Sequence, residues 1–126
     1  MLSKEKNNYP ELFRQIFNKE CKEIPAVVNY GFRKDGTPTG FLAGHWELED
    51  TFYIEYAGIL PEFQKKGWVR YIKKLIDPCI NYLTAVENTN VETGRILYAI
   101  GFIPIGCRYH DDTFYIEWLK RGVQNG

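Results

Sequence analysis

Histidine and cysteine are scarce in this sequence. It has two histidines and three cysteines, Cys21, Cys79 and Cys107. The cysteine count is odd, the spacing is wide and no CxxC pair occurs, which argues against a disulfide framework and against a zinc site. Cys79 and Cys107 fall in apolar contexts and read as buried small hydrophobes. An excess of one charge is also missing. Sixteen basic side chains face sixteen acidic ones, so no global field draws the chain to nucleic acid or an anionic membrane. Basic residues gather only at 65–70 and 73–74, too few to suggest a nucleic-acid binder. No apolar run approaches the roughly 20 residues of a spanning helix, and the polar start MLSKEKNNYPE lacks the apolar core of a signal peptide. The expectation is a cytoplasmic protein without a membrane partner.

What is present fits one folded domain over residues 1–126, with polar tails at 1–8 and 121–126. Aromatics at 16% suggest a sheet with bulky cross-strand pairs. Leu12, Phe13, Ile16 and Phe17 share one helical face, in a helix expected to run to Pro25. PAVVNYGFR and GFLAGHWEL read as strands joined by the turn KDGTPT. DTFYIEYAGIL follows as a strand with two largely apolar faces, as expected of a central strand covered on both sides. WVRYIKKLIDPCINYL carries Val69, Ile72, Leu75 and Ile76 on one helical stripe, with Pro78 kinking the helix or ending it near Asp77. Then come a strand at YLTAVE, a helix from about Asn90 to Ile100 stopped by Gly101, and a hairpin of FIPIGCRYH and DTFYIEWLK turning over Asp111 and Asp112. Trp46, Trp68 and Trp118 are expected to pack sheet and helix faces.

The hexapeptide DTFYIE occurs twice, at 50–55 and 112–117. Only the strand recurs, since the flanks differ, so the two copies are two strands and not a tandem repeat. The first copy leads into ILPEFQKKGWVR: a strand, a proline stop, then a basic loop with Gly67 opening into a helix. Such a junction leaves backbone N–H groups facing outward at the positive end of a helix, where a phosphate can accept them. Lys65, Lys66 and Arg70 add charge at the rim. The plainer reading is a solvated basic turn before an amphipathic helix.

These residues also carry a resemblance. Pro61, Gln64 and Gly67, in the pattern P-x-x-Q-x-x-G after a strand, resemble the acetyl-CoA pyrophosphate loop of the GCN5-related N-acetyltransferase (GNAT) superfamily. ENTNVETGRILYAIGFIPIG resembles that superfamily's later motif, with Asn90, Gly101 and Phe102 in its places, and YGFRKDGTPTGFLAG resembles its paired strands. The order of elements agrees from about Pro25 to Lys120. The resemblance implies an α/β (α+β) fold: a mixed, mostly antiparallel twisted sheet flanked by helices, with the usual first strand missing. It implies acetyl-CoA as co-substrate, no metal, and transfer of acetyl to a primary amine on a small molecule or protein. It assigns Ala57, Gly58, Ile59 and Leu60 to the pantetheine arm and thioester, Gln64, Lys65, Lys66, Gly67, Trp68, Val69 and Arg70 to pyrophosphate, and Asn90 to the pantetheine wall. The sequence departs from the family at Val69, where the loop has a small residue, and at Leu97, where the helix commonly carries a Tyr acting as general acid. Tyr98 stands one residue later. Small phage-encoded members, some of them virion-associated, are similar in having Leu at that place.

The base has several candidates. Glu55 lies on the strand that leads to the loop, with His45 and Glu47 on the preceding strand as competitors. Glu117 is an internal control, because it follows the same TFYI in a strand that leads to no loop. Tyr98 and Tyr109 are candidate acids. Two functional readings stand: an N-acetyltransferase, or a GNAT-fold protein without catalysis that binds or builds, as in a phage virion. The closing hairpin could also pair with a second copy to form a homodimer.

Overall fold

The structure, a computed structural model, describes residues 8–64 and 68–123, the side chain of Trp68 excepted. Its elements in chain order are α1 (Tyr9–Phe17), β1 (Val27–Phe32), β2 (Pro38–Leu48), β3 (Thr51–Ile59), a 3-10 turn (Pro61–Phe63), α2 (Trp68–Leu75), β4 (Asn81–Glu87), α3 (Val91–Ala99), β5 (Ile103–His110) and β6 (Thr113–Lys120). The strands form one mixed sheet in the order β1-β2-β3-β4-β6-β5. The β1–β2, β4–β6 and β5–β6 pairs are antiparallel, and β3–β4 is parallel. Among the described residues the first strand begins at Val27. The two copies of TFYIE are β3 and β6, two strands of one sheet with β4 between them. The chain divides into two compact units, residues 1–45 with 55–75, and residues 46–54 with 76–126.

In the first unit α1 lays Tyr9, Leu12 and Phe13 on Val28 and Tyr30 of β1 and Phe41 and Ala43 of β2. The Tyr9 and Phe41 rings lie 4.6 Å apart. Pro10 fits the first turn, where its missing N–H has no partner to lose. The helix stops at Phe17, well before Pro25, because Asn18 turns left-handed (φ 56°) and its N–H closes on Arg14 O. Helix α2 sits by β1, where Asn29 Nδ2 donates to Leu75 O at 3.0 Å. Ile72, Leu75 and Ile76 are buried, as their stripe predicts, and Val69 is half-buried. The helix ends at Leu75, ahead of the ending expected near Asp77.

In the second unit Trp118 of β6 is buried, and its ring passes so close to Gly94 of α3 that an added Cβ there would lie 3.3 Å from it. Trp46 stacks edge-on against Phe52 at 5.2 Å, and Phe52 against Tyr82 at 6.0 Å, although Trp46 stays about half exposed. Asp111 and Asp112 both take positive φ (48° and 61°), the conformation of a two-residue turn that follows the sheet's twist. All eight residues of β5, an edge strand, are exposed. Cys107 on that edge and Cys79 in the turn after α2 are therefore exposed and not buried. Their apolar neighbours in sequence do not become covering neighbours in space. The covering of β3 is partial too, because Glu55 and Tyr56 reach solvent.

Candidate active site

A two-residue turn, Glu49 and Asp50, joins β2 to β3 and turns a separation of ten residues into contact. His45 Nδ1 and Glu55 Oε2 lie 3.0 Å apart, with side chains 41% and 34% exposed. The two candidate bases thus form one pair and do not compete for the role. Glu117, at the matching place of the second hexapeptide, has no hydrogen-bond or ion-pair partner among the described residues. The same local sequence supplies a paired carboxylate in β3 and a solitary one in β6. Glu47 is exposed near the end of β2.

The backbone after Glu55 divides in two. The carbonyl of Gly58 faces Gly40 of β2 so closely that a side chain at Gly40 would strike it, and Leu60 N–H donates to Thr39 O at 2.8 Å. Gly58 and Leu60 therefore direct their polar groups to β2. By the alternation of a strand, Ala57 and Ile59 direct theirs to the opposite edge. An added Cβ at Gly58 would also lie 2.7 Å from Ile16 and 3.0 Å from Phe17, so this glycine admits α1 and is closed to a ligand on that face. Gln64 folds back, its Nε2 donating to Ile59 O at 3.1 Å. Lys65, Lys66 and Gly67, expected at the pyrophosphate, lie outside the described residues, and Trp68 is described only as the first residue of α2. Arg70 is exposed on the first turn of that helix.

Asn90, expected at the pantetheine wall, caps α3, its Oδ1 accepting from Thr93 N–H at 3.2 Å. Leu97 is buried, while Tyr98 is 69% exposed beside a groove of about 380 Å³ with Val91, Arg95, Ile116 and Trp118. The change of one position rotates the hydroxyl away from the packed face, as the roughly 100° per residue of a helix requires. Tyr109 Oη donates to Asp112 Oδ1 at 2.9 Å in the turn it adjoins, and that bond holds its pKa above the ordinary tyrosine value.

One feature has no signature in the sequence. A cavity of about 320 Å³ opens over Glu55 and Tyr56, walled by Phe13 and residues 19–23. Tyr9 does not line it but packs behind Phe13 with ring centroids 5.8 Å apart, wholly buried and with no hydrogen-bond partner for its hydroxyl among the described residues. Burial raises its pKa above the tyrosine value, and Cys21, Tyr56 and Glu55 act on it electrostatically in the same direction.

No family model matches the sequence, and no curated protein matches it in sequence. Solved structures do match. The ribosomal-protein-S18-alanine N-acetyltransferase of Escherichia coli aligns over 100% of this chain and 93% of its own, with TM-score 0.70 and 11% identity. A protein assigned as streptothricin acetyltransferase from Bacillus anthracis, solved with acetyl coenzyme A, aligns over 83% of this chain and 70% of its own, with TM-score 0.62 and 16% identity. A mutant of spermidine N-acetyltransferase from Vibrio cholerae aligns over 73% of this chain at TM-score 0.61 and 13% identity, and the chain spans only 63% of that enzyme. The chain has the fold of the N-acetyltransferases, the GNAT fold that its loop and helix motifs resemble.

Proposed function

We propose that the protein is an acetyl-CoA-dependent N-acetyltransferase acting on a primary amine. The observation that carries this reading is the His45–Glu55 pair at 3.0 Å, beside a cavity, on the strand that enters the loop before α2. The residues present suit acetyl-CoA. Ala57, and Ile59 through its N–H since Gln64 already donates to its carbonyl, offer strand-edge groups that a pantetheine amide could pair with, and the N-terminus of α2 with Arg70 offers positive potential to a diphosphate. Bound there, the co-substrate supplies the acetyl group as a thioester. Glu55 accepts the proton from the attacking amine, and His45, hydrogen-bonded to it, fixes the carboxylate's orientation. The amine nitrogen bonds to the acetyl carbon as the carbon–sulfur bond breaks, and the leaving thiolate takes a proton from solvent. Among the described residues no tyrosine is positioned by a hydrogen bond to serve as that acid on α3.

Buried Leu97, standing where the family commonly has its acid, favours a second reading, a GNAT-fold binding or structural protein such as a phage component. Titration with acetyl-CoA by calorimetry, followed by a thiol-release assay over a panel of amines, separates the two. Binding with amine-dependent thiol release is expected, and no binding at millimolar acetyl-CoA overturns the enzyme reading. The proposal places the protein in the cytoplasm, in keeping with the free thiols of Cys79 and Cys107 and with the lack, among the described residues, of a helix long and apolar enough to cross a membrane. It includes a homodimer built by a second copy adding to β5, whose exposed Ile103 and Ile105 suit an edge-to-edge contact. Light scattering at micromolar concentration should return twice the chain mass.

A further inference from the structure

We infer that the cavity over Glu55 and Tyr56 is the acceptor pocket, and that it takes a small amine with an apolar body and a single positive charge. The inference rests on the acetyl-transfer reading and names the acceptor class for that site. Size comes first. At about 320 Å³ the cavity stands at the lower end of the range for small-molecule sites, too small for a folded partner's surface and sufficient for one compact ligand.

Charge comes next. Glu20, Glu23 and Glu55 face Lys19 and Lys22 around the opening, and 3 − 2 carboxylates over ammoniums leaves one net negative charge. None of these but Glu55 has an ion-pair partner among the described residues, so their fields are directed at whatever enters. A single cation balances the wall. A polycation leaves positive charge uncompensated beside the lysines, and an anion meets the carboxylate of Glu55.

The apolar side is set by Phe13 and Tyr56, packed edge to face with centroids 5.0 Å apart. A ring or a short aliphatic chain can lie against them. Behind Phe13 lies the fully buried Tyr9 hydroxyl. It has no partner, although an unpaired buried hydroxyl is costly, and it lies within electrostatic range of Glu55 and Tyr56. Glu55, which does line the cavity, is the group that can hold an ammonium there. The ammonium would then sit with its proton directed at the carboxylate that His45 orients.

The test uses the full chain, ¹⁵N-labelled, titrated in low salt with 2-phenylethylamine and, separately, with phenylacetate, which keeps the ring and reverses the charge. Expected are amide shifts at residues 19–23, 55 and 56 for the amine, with affinity at least tenfold above phenylacetate and above spermidine. The double variant Glu20→Lys, Glu23→Lys alters two exposed side chains, and it should lose at least tenfold in amine affinity while acetyl-CoA still binds. Equal binding of amine and phenylacetate, tighter binding of spermidine, or no shift at these residues at millimolar amine overturns the inference. Acetyl-CoA is titrated on its own. If it binds while the amine does not, this pocket assignment fails alone; if the amine binds while acetyl-CoA does not, the acetyl-transfer reading fails alone.

Discussion

Replacing Glu55 by Gln tests the chemistry with little disturbance to the fold. Gln keeps the shape of the side chain and a hydrogen bond to His45 but cannot take a proton near neutral pH. A positioned general base contributes roughly 10²–10⁴ in rate, or about 3–5 kcal/mol of barrier at 1.36 kcal/mol per factor of ten. The pair's share in stability is far smaller. With side chains 41% and 34% exposed, solvent screens the interaction, and exposed pairs contribute about 0.2–1 kcal/mol. The variant should therefore lose at least a hundredfold in kcat in the thiol-release assay, with KM for acetyl-CoA unchanged and Tm lowered by no more than a few degrees. The repeated hexapeptide supplies a matched control. Glu117→Gln makes the same chemical change after the same four residues, in a strand where the carboxylate has no histidine partner, and should leave kcat within twofold. A loss below tenfold for Glu55→Gln, or equal losses for the two variants, refutes the assignment.

Four further variants test the packing, the cap and the last turn. Gly40→Ala places a methyl against the Gly58 carbonyl and 2.9 Å from Ile59 Cα, so β2 and β3 must move apart; a loss of about 2–3 kcal/mol by urea denaturation is expected. Tyr9→Phe removes a buried hydroxyl without a partner and should raise stability by about 1 kcal/mol. The same residue has a pH signature: its folded pKa is raised above the unfolded value of 10.0, so its contribution is complete below pH 10 and falls as pH rises through the folded value. Denaturation at pH 8 and 10.5 should show a smaller alkaline loss in Tyr9→Phe than in the parent, the remainder reflecting Tyr71 and Tyr82, which burial also raises. Asn90→Ala removes the α3 cap and should cost about 1 kcal/mol in thermal melts. Asp111→Asn with Asp112→Gly fits the two positive φ angles better and should raise Tm.

Much of this architecture is legible in the sequence because its boundaries are made by local chemistry. Asn90 and Gly101 bracket α3, and Asp111 and Asp112 make the last turn, since capping and left-handed backbone are decided within a few residues. The end of α1 was not legible. Asn18 takes the left-handed conformation only weakly by nature, and Pro25 was the louder signal. The exposure of Cys107 on the edge strand β5 and of Cys79 in the turn after α2 is set by tertiary placement, which apolar neighbours in sequence do not encode. At the site, Glu55 and His45 could each be singled out by residue type, but their union depends on hairpin register. The cavity wall at residues 19–23 reads in sequence as a charged connector, and only its position over Glu55 gives it meaning.

The alternation at the end of β3 has a metric consequence. Residues two apart on a regular strand repeat every 6.6–6.8 Å or so, the interval expected between Ala57 and Ile59, while Gly58 and Leu60 are turned toward β2. The rim of this strand is thus a ruler with two marks. If the proposed pantetheine arm lies along this rim, it matches both marks only when its own amides recur at that interval.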